Sequence, residues 1–241
     1  MNKPMVKFIG ILLIGAGLSA CSSYSYKAFN AQRIDVKTPV EKDPEVDSLV
    51  APYRRALALE MNRVIGEATE DMQVARPNSN LGQWVTDVVL QFGKDSLLAN
   101  QAEKLPVIAI LNTGGIRASL SKGSLTVGDI YKLMPFDNQL IALKLPVDQI
   151  NEIEAYLQKT GGEPIAGFTV VNGKIVIDNL AESRYLWVIT TDFLANGGDK
   201  MLFFQAATEK KLSPVLLRDL LLREVERTGT IEEQLEERIR F

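Results

Sequence analysis

The sequence contains no histidine and only one cysteine among its 241 residues. Imidazole ligands for zinc, iron or manganese are therefore excluded, as are Ser-His and Cys-His nucleophile pairs and internal disulfide bonds. Any chemistry must come from carboxylates, Arg, Lys, hydroxyl groups and the backbone. Excess charge is also small, with a formal net charge of −3. A clustered basic surface for a nucleic acid polymer is therefore not expected.

The first residues have the order of a bacterial secretory signal. Lys3 and Lys7 precede an apolar stretch from Phe8 to Leu18. This stretch is shorter than the roughly 20 residues of a membrane span. The sequence Leu18-Ser19-Ala20-Cys21 follows. It resembles the lipobox of bacterial lipoproteins, in which the cysteine is lipidated and becomes the first mature residue. The alternative is an ordinary secretory signal with an incidental cysteine.

This interpretation divides the chain into three parts. Residues 1–20 are predicted to be a lipoprotein signal peptide, and residues 21–47 a lipidated Cys21 followed by a polar tether. Ser22, by resemblance to lipoprotein sorting, favours the outer membrane of a Gram-negative cell, facing the periplasm or the exterior. Residues 48–241 are the predicted folded domain.

Within 48–241, helical and strand periodicities alternate, which predicts a single layered α/β (α+β) domain with a mixed sheet and packed helices. Local signals support several boundaries. Ser79 is a predicted helix N-cap, Thr126 to Asp129 a capping box, Asn172-Gly173 a two-residue hairpin turn and Gly229 a helix stop. The predicted helices are 48–62, 79–92, 127–134, 146–157 and 214–227, and the predicted strands are 63–66, 106–111, 139–145, 168–171, 174–177 and 185–193.

A glycine loop, Asn112-Thr113-Gly114-Gly115-Ile116-Arg117, follows one predicted buried strand. Glycines let the backbone approach a ligand, and backbone N–H groups with an Arg can hold an anion. The loop lacks the Gly-Lys-Ser/Thr ending of a P-loop. Taken alone, it fits a plain tight turn equally well.

Further segments accompany this loop in a fixed order, and together they resemble the C-terminal domain of the 5'-nucleotidase and UDP-sugar hydrolase family. The resemblance covers residues 50–241. The matching segments are Ser79 to Trp84, Leu111 to Arg117, Val127 to Tyr131, Met134 to Asn138, Thr191 to Asp199 and Thr228 to Ile231.

The resemblance implies that this domain holds the nucleoside of a nucleotide. Phe136 and Phe193 match the two aromatic residues that sandwich the base, and Asp199 matches the carboxylate that accepts bonds from the ribose hydroxyls. Asn112 matches a polar contact to the base, and Arg117 matches a phosphate-contacting Arg. Gly114 completes this substrate-binding set. Alternatively, the two Phe residues belong to the core, Asp199 and Asn112 are turn or cap residues, and Arg117 is a surface charge.

Two positions depart from the family pattern. Thr113 replaces a glycine, which places a β-branched side chain where the backbone is expected to approach the ligand. Arg76 lies one residue away from the position of a second phosphate-facing Arg, with Pro77 between. We include Arg76 as an additional substrate-binding candidate.

Hydrolysis in the complete enzymes belongs to a separate metallophosphatase domain with two metal ions bound by Asp, His and Asn. We therefore predict no catalytic residue, metal ligand or cofactor in this chain, and divalent metals on a partner metallophosphatase chain. The leading hypothesis is the nucleotide-recognition subunit of a split 5'-nucleotidase. The alternatives are a stand-alone lipoprotein that captures nucleosides and a structural lipoprotein with a decayed site.

Overall fold

A computed structural model describes residues 43–101, 104–180, 183–232 and 235–241. The predicted signal peptide, Cys21 and most of the predicted tether lie outside these ranges. Within them, no helix combines the length and the apolarity that crossing a bilayer requires.

The described residues contain six α-helices and eleven β-strands. The helices are α1 (Pro44–Met61), α2 (Asn80–Phe92), α3 (Val127–Leu133), α4 (Ile150–Thr160), α5 (Asp192–Ala195) and α6 (Leu217–Thr228). The strands are β1 (Val64–Ala68), β2 (Val107–Ile110), β3 (Gly123–Thr126), β4 (Gln139–Pro146), β5 (Ile165–Ala166), β6 (Thr169–Val171), β7 (Lys174–Val176), β8 (Tyr185–Thr191), β9 (Glu209–Leu216), β10 (Thr230–Ile231) and β11 (Ile239–Arg240).

The strands form three sheets, and each sheet mixes parallel and antiparallel pairs. The largest has the order β5-β2-β8-β4-β9, in which only β2 and β8 run parallel. The smaller sheets have the orders β10-β1-β3 and β11-β6-β7. This architecture confirms the predicted mixed α/β fold.

The inner strands β2, β8 and β4 of the five-stranded sheet are buried on both faces, whereas the edge strand β9 is largely exposed. Successive side chains of a strand point to opposite sides, so each inner strand contributes to two cores. On β2, Ala109 packs into a core that includes Leu81 and Val85 of α2. Its neighbours Ile108 and Ile110 pack into a second core on the other face. The strand therefore has four buried residues in a row, as expected for a strand covered on both sides.

The local signals that concern turns and caps are confirmed. The Ser79 side chain accepts a hydrogen bond from Gly82 N and begins α2, and Thr126 and Asp129 form a reciprocal capping box. Asn172 and Gly173 both have positive φ between the antiparallel strands β6 and β7. Gly229 ends α6 in the left-handed conformation.

Some predicted boundaries are wrong. The strand predicted for residues 185–193 ends at Thr191, because its side chain accepts a hydrogen bond from Leu194 N and begins α5. Phe193 therefore lies on a short helix. Pro146 ends β4 rather than entering a helix, and a 3₁₀ turn separates it from α4.

The predicted final helix begins at Leu217 rather than Pro214. Pro214 belongs to β9, which has only β4 as a neighbour, and the pairing register shifts between Gln139 and Ile141 beside it. Edge strands and bulges tolerate proline, because no ladder hydrogen bond is lost there.

The helix predicted from residue 48 begins at Pro44, so it crosses the predicted boundary between tether and domain. None of its residues is buried, and Leu49, Tyr53, Leu57 and Leu59 are strongly exposed.

Candidate functional site

Three loops that contain predicted site residues meet at one end of the five-stranded sheet. Strands β2 and β8 run parallel, so the loops that follow them, at Asn112 and Phe193, emerge at the same end. Strand β4 runs antiparallel to β8, with Leu140 opposite Thr191. The loop before β4, which carries Phe136, is therefore at this end as well.

Between these loops lies a cavity of about 280 Å³. All six of the main predicted substrate-binding residues line it, together with Gly115 and Asn138, so the cavity brings together residues from segments far apart in the sequence. Their role as ligand contacts stays a prediction. The lining residues are Asn112, Gly114, Gly115, Arg117, Phe136, Asn138, Phe193 and Asp199.

The two aromatic rings are unusually accessible for large apolar side chains. Phe136 is 43% exposed and Phe193 is 46% exposed. The ring of Phe193 lies directly against Gly198, where a Cβ atom would come within 2.4 Å of a ring carbon. This position thus requires a glycine for the ring to keep its place.

The side chains of Asn112 and Asp199 are hydrogen-bonded to each other in the same cavity. Asn112 Nδ2 donates a hydrogen bond of 2.6 Å to Asp199 Oδ2. Asp199 has a left-handed backbone with φ 50°, and its carbonyl accepts a 3.0 Å bond from Tyr156 Oη. Burial, followed by the negative charges of Glu163 and Asp199, raises the pKa of Tyr156 to about 12. Tyr156 therefore remains a neutral donor that supports the Asp199 backbone.

The glycine loop is a 3₁₀ turn closed by a 3.0 Å bond from Gly115 N to the Asn112 carbonyl. A Cβ atom on Gly115 would lie 2.7 Å from Asn112 Oδ1, so a larger residue there would displace the Asn112 carboxamide. The exposed Arg117 donates from Nη1 to the Gly114 carbonyl at 3.1 Å. Its guanidinium thus sits at the cavity with further N–H groups available to an anion.

Arg76, the additional candidate, does not line this cavity. Its Nη2 donates to Glu163 Oε1 at 2.7 Å and its Nε donates to the Gly162 carbonyl at 2.7 Å. Thr113 is also absent from the lining, because its hydroxyl is bonded to Glu163. Its β-branched side chain therefore does not narrow the cavity.

Sequence reasoning missed two polar side chains at this site. Asn138 lines the cavity, although it was within a motif that supported the family resemblance. Asp192 Oδ1 accepts bonds from both Gln139 N and Phe193 N, at 3.1 and 2.8 Å. It thereby ties the beginning of β4, next to the Phe136 loop, to the segment that carries Phe193.

The cavity at the end of the five-stranded sheet is not the largest one on the described surface. A groove of about 530 Å³ is larger, and its lining includes Lys94, Lys104 and Asp178 but no aromatic residue. Among the described residues, no group of three or more Cys, Asp or Glu side chains is arranged to hold a metal ion.

Comparison with known proteins gives a consistent result. Residues 64–159 match the family model of the 5'-nucleotidase C-terminal domain. Endonuclease YhcR of Bacillus subtilis is 27% identical over 189 residues, which cover 74% of this chain and 14% of that protein. The 5'-nucleotidase-related protein of Glossina morsitans morsitans is 26% identical over 203 residues, covering 70% of this chain and 37% of that protein. The chain thus spans well under half the length of both relatives.

The fold of the chain is also similar to that of solved nucleotidase structures. The 5'-nucleotidase precursor of Thermus thermophilus superposes with a TM-score of 0.65 and 25% identity, covering 81% of this chain and 42% of that one. The NAD nucleotidase of Haemophilus influenzae shares the fold, with a TM-score of 0.57 and 18% identity over 83% of this chain and 41% of its own. Residues 64–159 of the chain thus match the 5'-nucleotidase C-terminal domain family, and the chain shares the fold of these solved structures.

Proposed function

We propose that this protein is the nucleoside- and nucleotide-recognition subunit of a split 5'-nucleotidase. In this proposal, the cavity at the end of the five-stranded sheet binds the substrate, and a metallophosphatase on another chain hydrolyses it. Lipidation of Cys21 would hold the protein at a bacterial membrane, with the outer membrane favoured by Ser22.

The observation that carries the proposal is the combination of groups in one cavity. Phe136 and Phe193 offer two accessible aromatic faces, and stacking contributes about 1–3 kcal/mol per base without a strong base preference. Asp199 is an acceptor suited to sugar hydroxyls, and Arg117 can bind an oxyanion through two parallel N–H groups. The volume of about 280 Å³ is close to the lower end of small-molecule sites, at roughly 300 Å³.

The proposed second chain follows from the chemistry of the reaction. Hydrolysis of a phosphate ester is extremely slow without catalysis, and two metal ions accelerate it by activating water and stabilising the leaving oxygen. The sequence supplies no histidine, and the acidic groups of the described residues form no metal-binding cluster. We therefore assign the divalent metals to the partner.

Ligand binding can be tested by thermal shift and calorimetry with adenosine, AMP, UMP and UDP-glucose. A ligand at about 100 times its Kd should stabilise the native protein by about 2.7 kcal/mol. Phe136→Ala and Phe193→Ala should each weaken adenosine binding by about 5- to 150-fold, because each removes one stacking face. Phe241→Ala is the matched control, since Phe241 is 44% exposed and lies outside the cavity. An equal loss in all three variants would contradict the proposed site.

The partner can be tested by co-purification followed by phosphate release from AMP. Release that requires both chains is the expected result. Adenosine binding, combined with the failure of any metallophosphatase to co-purify or to depend on this chain, would favour a stand-alone protein that captures nucleosides. No binding of any compound would favour a structural role, and metal-dependent release by the pure chain would overturn the split arrangement.

The anchor is tested by Cys21→Ser. The substitution should move the protein from the membrane fraction to the soluble fraction in a bacterium with lipoprotein processing, because no acyl chains can be attached. Membrane retention of the variant would contradict lipidation at Cys21.

A further inference from the structure

Glu163 is a buried acidic residue beside the glycine loop, and its side chain is only 2% exposed. A buried carboxylate is costly unless several donors surround it. Glu163 Oε2 accepts 2.7 Å bonds from both the backbone N and the hydroxyl of Thr113, and Oε1 accepts a 2.7 Å bond from Arg76. One carboxylate thus joins the glycine loop to the segment before α2.

Arg76 is oriented by this carboxylate and by the backbone next to it. Besides its bond to Glu163, it donates from Nε to the carbonyl of Gly162, whose φ is 102°. Pro77 packs against the same glycine, where an added Cβ would lie 2.8 Å from Pro77 Cα. Arg76 therefore acts as the counter-ion of a buried charge, and neither Arg76 nor Glu163 lines the cavity.

Thr113 is the residue of the glycine loop that binds the Glu163 carboxylate. The Thr113 side chain bonds to Glu163 and does not line the cavity, whereas its neighbours Asn112 and Gly114 do. Two bonds from one residue to one oxygen fix both its backbone and its side chain. The loop conformation that presents Asn112 to Asp199 is thereby held by contacts outside the cavity lining.

We propose that Glu163, paired with Arg76, is a positioning residue that holds Thr113 and thereby sets the affinity of the cavity for the nucleoside part of its ligand. This inference rests on the proposed function. In this proposal, Arg76 acts through Glu163 and does not contact the phosphate of the ligand. Arg117 instead supplies the guanidinium that can bind the phosphate.

A comparison of the two arginines tests this division. Calorimetry would give the Kd of adenosine and AMP for the wild type, Arg76→Met and the matched variant Arg117→Met. Arg117→Met should weaken AMP binding at least fivefold more than adenosine binding. Arg76→Met should weaken both by the same factor, about tenfold, because it disturbs the loop rather than a phosphate contact. A selective loss of AMP in Arg76→Met, or no loss of either ligand, would overturn the inference.

A second pair of variants guards against simple misfolding. Glu163→Gln should weaken adenosine binding about tenfold, because an amide cannot accept from Thr113 and from Arg76 at once. Combining Glu163→Gln with Arg76→Met removes this conflict, since the amide oxygen can then face Thr113. The double variant should recover adenosine binding to within about threefold of the wild type. Failure of this rescue would contradict the proposed coupling.

A measurement without ligand separates this inference from the proposed function. Hydrogen exchange of the Thr113 amide should be slow in the wild type and at least tenfold faster in Glu163→Gln. Unchanged exchange would overturn the positioning role, even if nucleosides bind. Absence of adenosine and AMP binding in the wild type would refute the proposed function, while the exchange data would still decide how the loop is held.

Discussion

Tyr156 shows how a single residue can connect the site to the pH dependence of stability. Its hydroxyl bonds to the Asp199 carbonyl, and its pKa is raised from 10.0 to about 12 by burial and nearby negative charge. The neutral form is therefore favoured in the native state. The contribution of neutral Tyr156 to the free energy of unfolding is fully present below pH 10, the pKa in the unfolded state. It is lost as the pH rises towards 12, the pKa in the native state.

We predict that Tyr156→Phe makes the free energy of unfolding less steeply dependent on pH between about 10 and 12. Urea denaturation of the wild type and of Tyr156→Phe across this pH range would measure the difference in their free energies of unfolding. The other five tyrosines are present in both proteins, so the difference reports Tyr156 alone. Parallel pH profiles would show that Tyr156 titrates alike in both states.

For individual residues, the sequence predicted which side chains come together at the cavity, but it did not predict the contacts that fix their positions. Asn112, Phe136, Phe193 and Asp199 belong to recognisable short motifs, and the structure brings them to one cavity. Glu163 belongs to none of these motifs, and its bonds to Thr113 span 50 residues. Such a contact depends on the packed fold and leaves no local pattern in the sequence.

The helices differ widely in how much they depend on packing. In α2, Leu81 is completely buried, whereas Leu59 of α1 is 79% exposed. Leu81→Ala should reduce the free energy of unfolding by about 2–5 kcal/mol, since it removes core contacts and leaves a cavity. The matched Leu59→Ala should change it by less than about 0.5 kcal/mol. Chemical denaturation would check both, and similar losses would indicate that α1 is covered by a partner.

Element types were easier to predict than element ends. Caps such as Ser79 and Thr126 act within three residues, so their signals survive in the sequence. Pro214 misled the prediction because it is common both at helix starts and in edge strands. Only the pairing of β9 with β4 decides between the two.

At the scale of the whole molecule, Arg238 links distant parts of the domain. Its guanidinium bonds to both carboxylate oxygens of Asp87, at 2.8 and 2.7 Å, and to the Ile165 carbonyl at 3.0 Å. Arg238→Met should reduce the free energy of unfolding by about 1–3 kcal/mol, because these acceptors lose a charged donor. Arg240→Met is the matched control, since the Arg240 side chain is 57% exposed, and it should cost less than about 0.5 kcal/mol. Denaturant titration would separate the two, and equal effects would contradict the linking role.

The segment around Arg238 also has a consequence for the order of events during synthesis. Asn78, just before α2, exchanges two hydrogen bonds with Ile239, which lies 161 residues later in the chain. At roughly 5–20 residues per second, a ribosome needs about 8–32 seconds to make that distance. Throughout this interval α2 lacks its final partners. The two hydrogen bonds of Asn78 can therefore form only after residue 239 has been synthesised.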